Sequence, residues 1–211
     1  MMLPFKELIA KHNLNITGVC HLGANAGQER FIYDELINGK VLWVEAIPIV
    51  AHQLIDNLKP FPKQSALQSC LSDTDGEVVA FNISDNESQS SSMLKFGVHE
   101  IIHPNVTFID TIRLVTDRFD TLISSLKMDI SGLNLLSLDV QGSELKVLKG
   151  MGNYLQQFDY IISEINSVET YQGCALVGEI DEFLWDYERV ETGELVGGAW
   201  SDALYCKKKL I

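Results

Sequence analysis

The stretch ITGVCHLGANAGQERFIYDELINGKVLWVE, residues 16–45, reads as strand, glycine turn, helix, second strand and a terminal acid. Residues 16–22 are largely apolar and suit a strand, and Gly23, Ala24, Asn25, Ala26 and Gly27 make a turn of small residues. Residues 28–38 carry apolar side chains at helical spacing until Gly39 stops them. Residues 41–44 then form a short buried strand. It delivers Glu45 to the carboxyl edge of a parallel sheet, where a carboxylate can accept hydrogen bonds from two ribose hydroxyls.

The turn spacing is Gly-x-x-x-Gly, whereas a dinucleotide fingerprint is Gly-x-Gly-x-x-Gly. Asn25 stands where bare backbone would meet a pyrophosphate at a helix N-terminus, which disfavours NAD and with it a dehydrogenase. A looser glycine turn followed by a ribose-binding acid suits a nucleoside cofactor without pyrophosphate. S-adenosylmethionine is the common one.

The 211 residues are 46% hydrophobic, enough for one sizeable core, so residues 1–211 are expected to form a single domain. A formal charge of -13 repels nucleic acid, and the one basic run, Lys207, Lys208 and Lys209, reads as a solvated strand end. Cys20, Cys70, Cys174 and Cys206 are scattered and read as reduced core thiols. Residues 1–15 read as a short amphipathic lid helix and not as a secretory signal, and no apolar run has membrane-spanning length. The expectation is a cytoplasmic protein whose partner is a small-molecule or glycan acceptor, with a homodimer as the assembly left open.

Further along, residues 48–58 read as a helix with proline in its first turn, and 65–71 as a third strand. Ser72 and Asp73 follow it, expected beside Glu45 and suitably located for an adenine amino group. Residues 77–83 and 106–115 are rich in β-branched residues, and the serine-dense insertion between them, 84–105, reads as a loop or lid. His99 and His103 lie four apart on it without a third ligand nearby, so no metal site is expected. Residues 117–127 read as a helix and 133–138 as a buried central strand ending in Asp139. Glu144 opens the next helix, and both acids are expected to face one cleft, where mutual repulsion and burial suit one of them to general-base work. Residues 160–165 form a further strand that carries Glu164 and Asn166 to the same edge. A helix over 175–185, a strand over 189–191 and a last strand over 203–208 complete a doubly wound α/β sheet.

HLGANAGQE, LWVEAIP, SLDVQGSELKVLKGM and ISEIN, in this order, resemble the FkbM family of S-adenosylmethionine-dependent methyltransferases, and so does the serine cluster at Ser90, Ser91 and Ser92. The resemblance implies a Rossmann-like class I methyltransferase fold of seven mostly parallel strands with the last antiparallel, and methylation of a hydroxyl on a sugar or polyketide. It also implies that Gly23, Asn25 and Gly27 form the methionine-side loop and Glu45 the ribose acid. Ser72 and Asp73 are then adenine contacts, and Asp139, Glu144 and Glu164 surround the point of methyl transfer. Two positions depart from the family pattern: His21 where many members carry an acid, and Gln141 where glutamate is common. His21 reads first as a satisfied core histidine. Gln141 removes a charge, which leaves Asp139 or Glu144 as base. The rival to an O-methyltransferase is a non-catalytic module of the same fold that keeps a nucleoside pocket for sensing or scaffolding.

Overall fold

The computed structural model describes residues 3–210. Its main sheet joins β1 (Val19–Leu22), β2 (Val41–Glu45), β3 (Gln64–Gln68), β7 (Leu135–Leu138), β8 (Tyr160–Asn166), β9 (Tyr187–Thr192) and β10 (Trp200–Lys207) in the order β3-β2-β1-β7-β8-β10-β9. All neighbours are parallel except β10, which runs antiparallel between β8 and β9. This is the expected seven-stranded sheet with its last strand reversed. A smaller sheet, β4 (Cys70–Leu71), β6 (Phe108–Asp117) and β5 (Val78–Ser84), continues from one side.

The central strands are buried on both faces because each has a helix layer, and their period of two sorts side chains between two cores. Val19, Val41, Trp43 and Leu135 enter the core under α1 (Phe5–His12) and α3 (Pro48–Leu58). Cys20, Leu22, Leu42, Val44 and Leu136 enter the other, with α5 (Phe119–Leu126) and α6 (Glu144–Gly150). The remaining helices are α2 (Arg30–Leu36), α4 (His99–Ile102) and α7 (Val177–Phe183). The four cysteines are buried free thiols. Among the described residues no helix is long and apolar enough to cross a membrane.

Of the boundaries that differ from expectation, three have a physical reason in the packing. The helix expected over 28–38 is confined to Arg30–Leu36, because a side chain at Gly39 would lie 1.6 Å from the Thr17 carbonyl oxygen and the chain must leave the helix to make that approach. The strand expected over 65–71 breaks at Ser69, whose N–H donates to the Glu45 carbonyl, and Cys70 then pairs with Thr116 in the small sheet. Residues 117–118 belong to the end of β6 and the turn after it, so α5 starts at Phe119. The expected lid helix is α1, which buries Phe5 and Leu8 against Tyr33 and Trp43 and contributes no residue to the cavity described below; residues 1–2 lie outside the described residues.

Candidate active site

A cavity of about 550 Å³ opens at the carboxyl edge of the parallel strands, where such folds bind ligands. Gly23 follows β1, Glu45 ends β2, Asp139 follows β7 and Glu164 lies near the end of β8; all four line it.

The glycine turn is built by close packing. The N–H groups of Gly23 and Ala24 donate to the Val44 carbonyl at 3.0 and 3.1 Å, and Gly23 has φ +81°. A Cβ there would sit 1.7 Å from the Asp139 carbonyl oxygen, so only glycine lets the β1 and β7 turns meet. Asn25, at φ +44°, donates its backbone N–H to Glu45 Oε2 at 2.8 Å, and Ile47 N–H donates to Oε1 at 2.8 Å. Each oxygen keeps a further acceptor position. Burial pushes the Glu45 carboxyl up, and these backbone bonds oppose the shift. Gly27 lies outside the lining: at φ +74° it packs against Leu54 and serves the seat of α3.

Ser72 and Asp73 are not brought to the cavity. The break after β3 carries the chain away, so that Ser72 N–H donates to the Asp117 carbonyl, its own carbonyl packs on Gly150, and Arg118 holds the Asp73 carbonyl. Ser69, Cys70 and Leu71 line the wall instead.

Asp139 and Glu164 meet through Gln141, whose Nε2 donates to Asp139 Oδ1 and, at 3.3 Å, to Glu164 Oε2. Burial, with the Asp202 charge adding to it, pushes Asp139 up to about 6, while the bond from Gln141 opposes this. Burial and then the charges of Asp139, Glu144 and Asp202 raise Glu164 well above the usual carboxylate range. Glu144 takes a different position. Its Oε1 accepts the N–H groups of Val140 at 3.1 Å and Gly142 at 3.0 Å, so it ties the turn before α6 and does not line the cavity. The expected pairing of Asp139 with Glu144 across one cleft is replaced by Asp139 with Glu164.

Residues 84–105 form one wall. Ser84, Asn86, Ser90 and Ser91 bond one another, and the loop is pinned from three sides: Asn25 Nδ2 donates to the Glu87 carbonyl at 3.0 Å, Ser92 Oγ to the Gln141 carbonyl at 2.7 Å, and Tyr171 Oη to the Ser90 carbonyl at 3.3 Å. His99 stacks on Phe96 with ring centroids 4.1 Å apart and lines the cavity with His103. Burial lowers His99 to about 4, so it is neutral at physiological pH. Among the described residues no group of three or more His, Cys, Asp or Glu is arranged to hold a metal ion.

His21 is both a core and a cavity residue. It stacks on Trp43 at 4.8 Å, its Nδ1 lies 3.1 Å from the Tyr33 hydroxyl, and burial lowers it to about 4. The sequence did not single out Tyr171 or Asp202, which also line the cavity. Asp202 could have been found as the acid just before the apolar run Ala203 to Cys206 of β10.

The family model described as the methyltransferase FkbM domain matches residues 21–190. Solved structures with the same fold include magnesium protoporphyrin IX methyltransferase from Synechocystis with bound SAM (10% identity, 96% of this chain and 76% of that chain, TM-score 0.54). A SAM-dependent methyltransferase from Aquifex aeolicus superposes with TM-score 0.51 at 10% identity, over 95% of this chain and 87% of that chain. Fibrillarin from Aeropyrum pernix with natively bound S-adenosyl-L-methionine gives 0.50 at 14% identity, over 90% and 66%. No curated relative matches the chain.

Proposed function

Because this chain belongs to the FkbM methyltransferase family, whose methyl donor is S-adenosylmethionine, we propose that it methylates a hydroxyl of a sugar, glycan or polyketide-type acceptor. The observation that carries the reading is the position of Asp139 at the tip of β7, lining the same cavity as Glu45 with the glycine turn packed between the two strands.

The lining fits the cofactor. Glu45 retains acceptor positions for a ribose, and the carboxyl groups of Glu45 and Asp139 on the wall suit a positively charged sulfonium. Gly23, Asn25 and Glu45 would hold it, with Cys70 and Leu71 bordering the adenine. S-adenosylmethionine supplies a methyl group already activated for displacement. The protein then aligns the acceptor and takes its proton, work that falls to the Asp139 carboxylate, since Glu144 is spent on the Val140 and Gly142 amides. Burial and the neighbouring acids raise the Glu164 carboxyl and so favour its protonated form, which can donate a hydrogen bond to the acceptor. Four reduced thiols support a cytoplasmic setting.

The test is S-adenosylhomocysteine release when the protein is incubated with S-adenosylmethionine and a panel of methyl glycosides and hydroxylated macrolactones. Turnover that is lost in Asp139→Asn supports the reading. Tight S-adenosylhomocysteine binding with no turnover on any acceptor would replace it with the non-catalytic nucleoside-binding module.

A further inference from the structure

Gln141 is held at both ends of its side chain and at its backbone. Nε2 donates to Asp139 and Glu164, Oε1 accepts the Tyr171 hydroxyl, and the Gln141 carbonyl accepts Ser92 Oγ. Its φ is +52°, a region that a residue other than glycine or asparagine seldom occupies without cause. The network decides which way the amide points: only the NH2 end can donate to two carboxyl groups, and only the carbonyl end can accept from a phenol.

We propose that Gln141 is a positioning residue that gives one N–H to each acid, keeps Asp139 the proton acceptor of the pair, and links that arrangement to the serine-rich loop through Tyr171 and Ser92. An alanine there would leave two buried acids without a shared donor. A glutamate, common at this position in the family the chain resembles, would bring a third carboxyl with no hydrogen to give in its ionised form. The link to the loop is direct. Tyr171 Oη reaches the Ser90 carbonyl as well as Gln141, and Ser90 Oγ lies 3.2 Å from His99 Nε2, so the loop and the amide share one set of contacts. Opening the loop withdraws Ser92 from the Gln141 backbone and frees Tyr171, and the amide loses its fixed orientation.

The other groups acting on the pair are Glu144 at the start of α6, Asp202 on β10, Glu29 before α2 and the Tyr171 phenol. Asp202 and Glu29 disfavour ionisation of Asp139, and Glu144 and Asp202 that of Glu164, whereas Gln141 favours it for Asp139 and the Asn166 side chain for Glu164.

The inference rests on Asp139 acting as base, but its test is independent of turnover. Full-length protein labelled with ¹³C at the Asp and Glu carboxyl carbons is titrated by NMR as wild type, Gln141→Met and Tyr171→Phe, with S-adenosylhomocysteine affinity measured on the same samples. The Asp139 midpoint should rise in Gln141→Met by about one pH unit, a tenfold change in its ionisation constant. A smaller rise is expected in Tyr171→Phe, which keeps the amide but frees it to turn. An unmoved Asp139 midpoint in either variant overturns the proposal, and Tyr171→Phe decides alone if Gln141→Met does not fold. Wild type that fails to bind S-adenosylhomocysteine would refute the methyltransferase site while the titration still decides the role of Gln141.

Discussion

The Glu45 carboxylate accepts the backbone N–H of Asn25 at 2.8 Å, so the acid that ends β2 also holds the turn that follows β1. One carboxylate therefore serves the shape of the turn and the ligand together. Glu45→Ala removes both, leaving the Asn25 and Ile47 amides without their acceptor. We expect S-adenosylhomocysteine affinity to fall about 10- to 100-fold, the loss of one to two good polar contacts. Calorimetric titration reads this directly, and an unchanged dissociation constant removes Glu45 from the ribose site.

Asp139 sets the expected pH dependence. Its carboxyl is pushed up to about 6, and a base accepts a proton only when ionised, so turnover should rise with pH through about 6 and level off above it. Asp139→Asn should lower turnover about 10²- to 10⁴-fold, the usual worth of a general base, with cofactor affinity little changed. A flat rate profile between pH 5 and 8 would take the proton transfer away from this residue.

Where the polypeptide is locally regular, the residues announce the fold. Val41 to Glu45 is an apolar run closed by an acid, and the structure has that strand with the acid at the cavity. Pro48 starts α3 and Leu58 ends it, because proline in a first turn is a local signal. The misplacement of Ser72 and Asp73 has a non-local cause: the strand they follow changes sheets at Ser69 when Cys70 pairs with Thr116, a partner far along the chain. The same holds for Gln141 and Tyr171, thirty residues apart, whose contact depends on how the loop over 84–105 packs. Periodicity reports which face of an element is buried. It does not report which distant side chain arrives there.

That relocation is testable. Ser72→Ala and Asp73→Asn should leave S-adenosylhomocysteine affinity within about twofold, since neither side chain lines the cavity. Cys70→Trp, which enlarges a wall residue, should weaken it strongly. The opposite ranking would restore Ser72 and Asp73 to the adenine side.

Glu144 links pH to stability. Burial, aided by the Asp139 charge, pushes its carboxyl from 4.5 up to about 7 in the folded protein. As pH rises through this window the unfolded chain gives up its proton first, so the folded state binds more protons and its stability falls. Glu144→Gln retains an oxygen for the Val140 and Gly142 amides but carries no proton to lose. Its stability should decline less between pH 4.5 and 7, by on the order of 1–3 kcal/mol at the upper end. Urea denaturation at several pH values measures this, and parallel profiles for the two proteins would mean that Glu144 is not the group responsible.

The glycine turn is tied to the serine-rich loop by the Asn25 Nδ2–H, which is donated to the Glu87 carbonyl at 3.0 Å. Asn25→Asp keeps the size of the side chain, tolerates the φ of +44° and preserves an acceptor for the Ala26 and Gln28 donors. It cannot donate to Glu87, and it sets a carboxylate oxygen against a carbonyl oxygen. A lost neutral hydrogen bond of about 1 kcal/mol corresponds to roughly fivefold more frequent opening. Hydrogen exchange of residues 84–105 should therefore accelerate by about that factor while the amides of β1, β2 and β7 keep their protection. Equal exchange in the two proteins would mean that the loop is held closed by its other contacts, among them Ser92 with Gln141 and Tyr171 with Ser90.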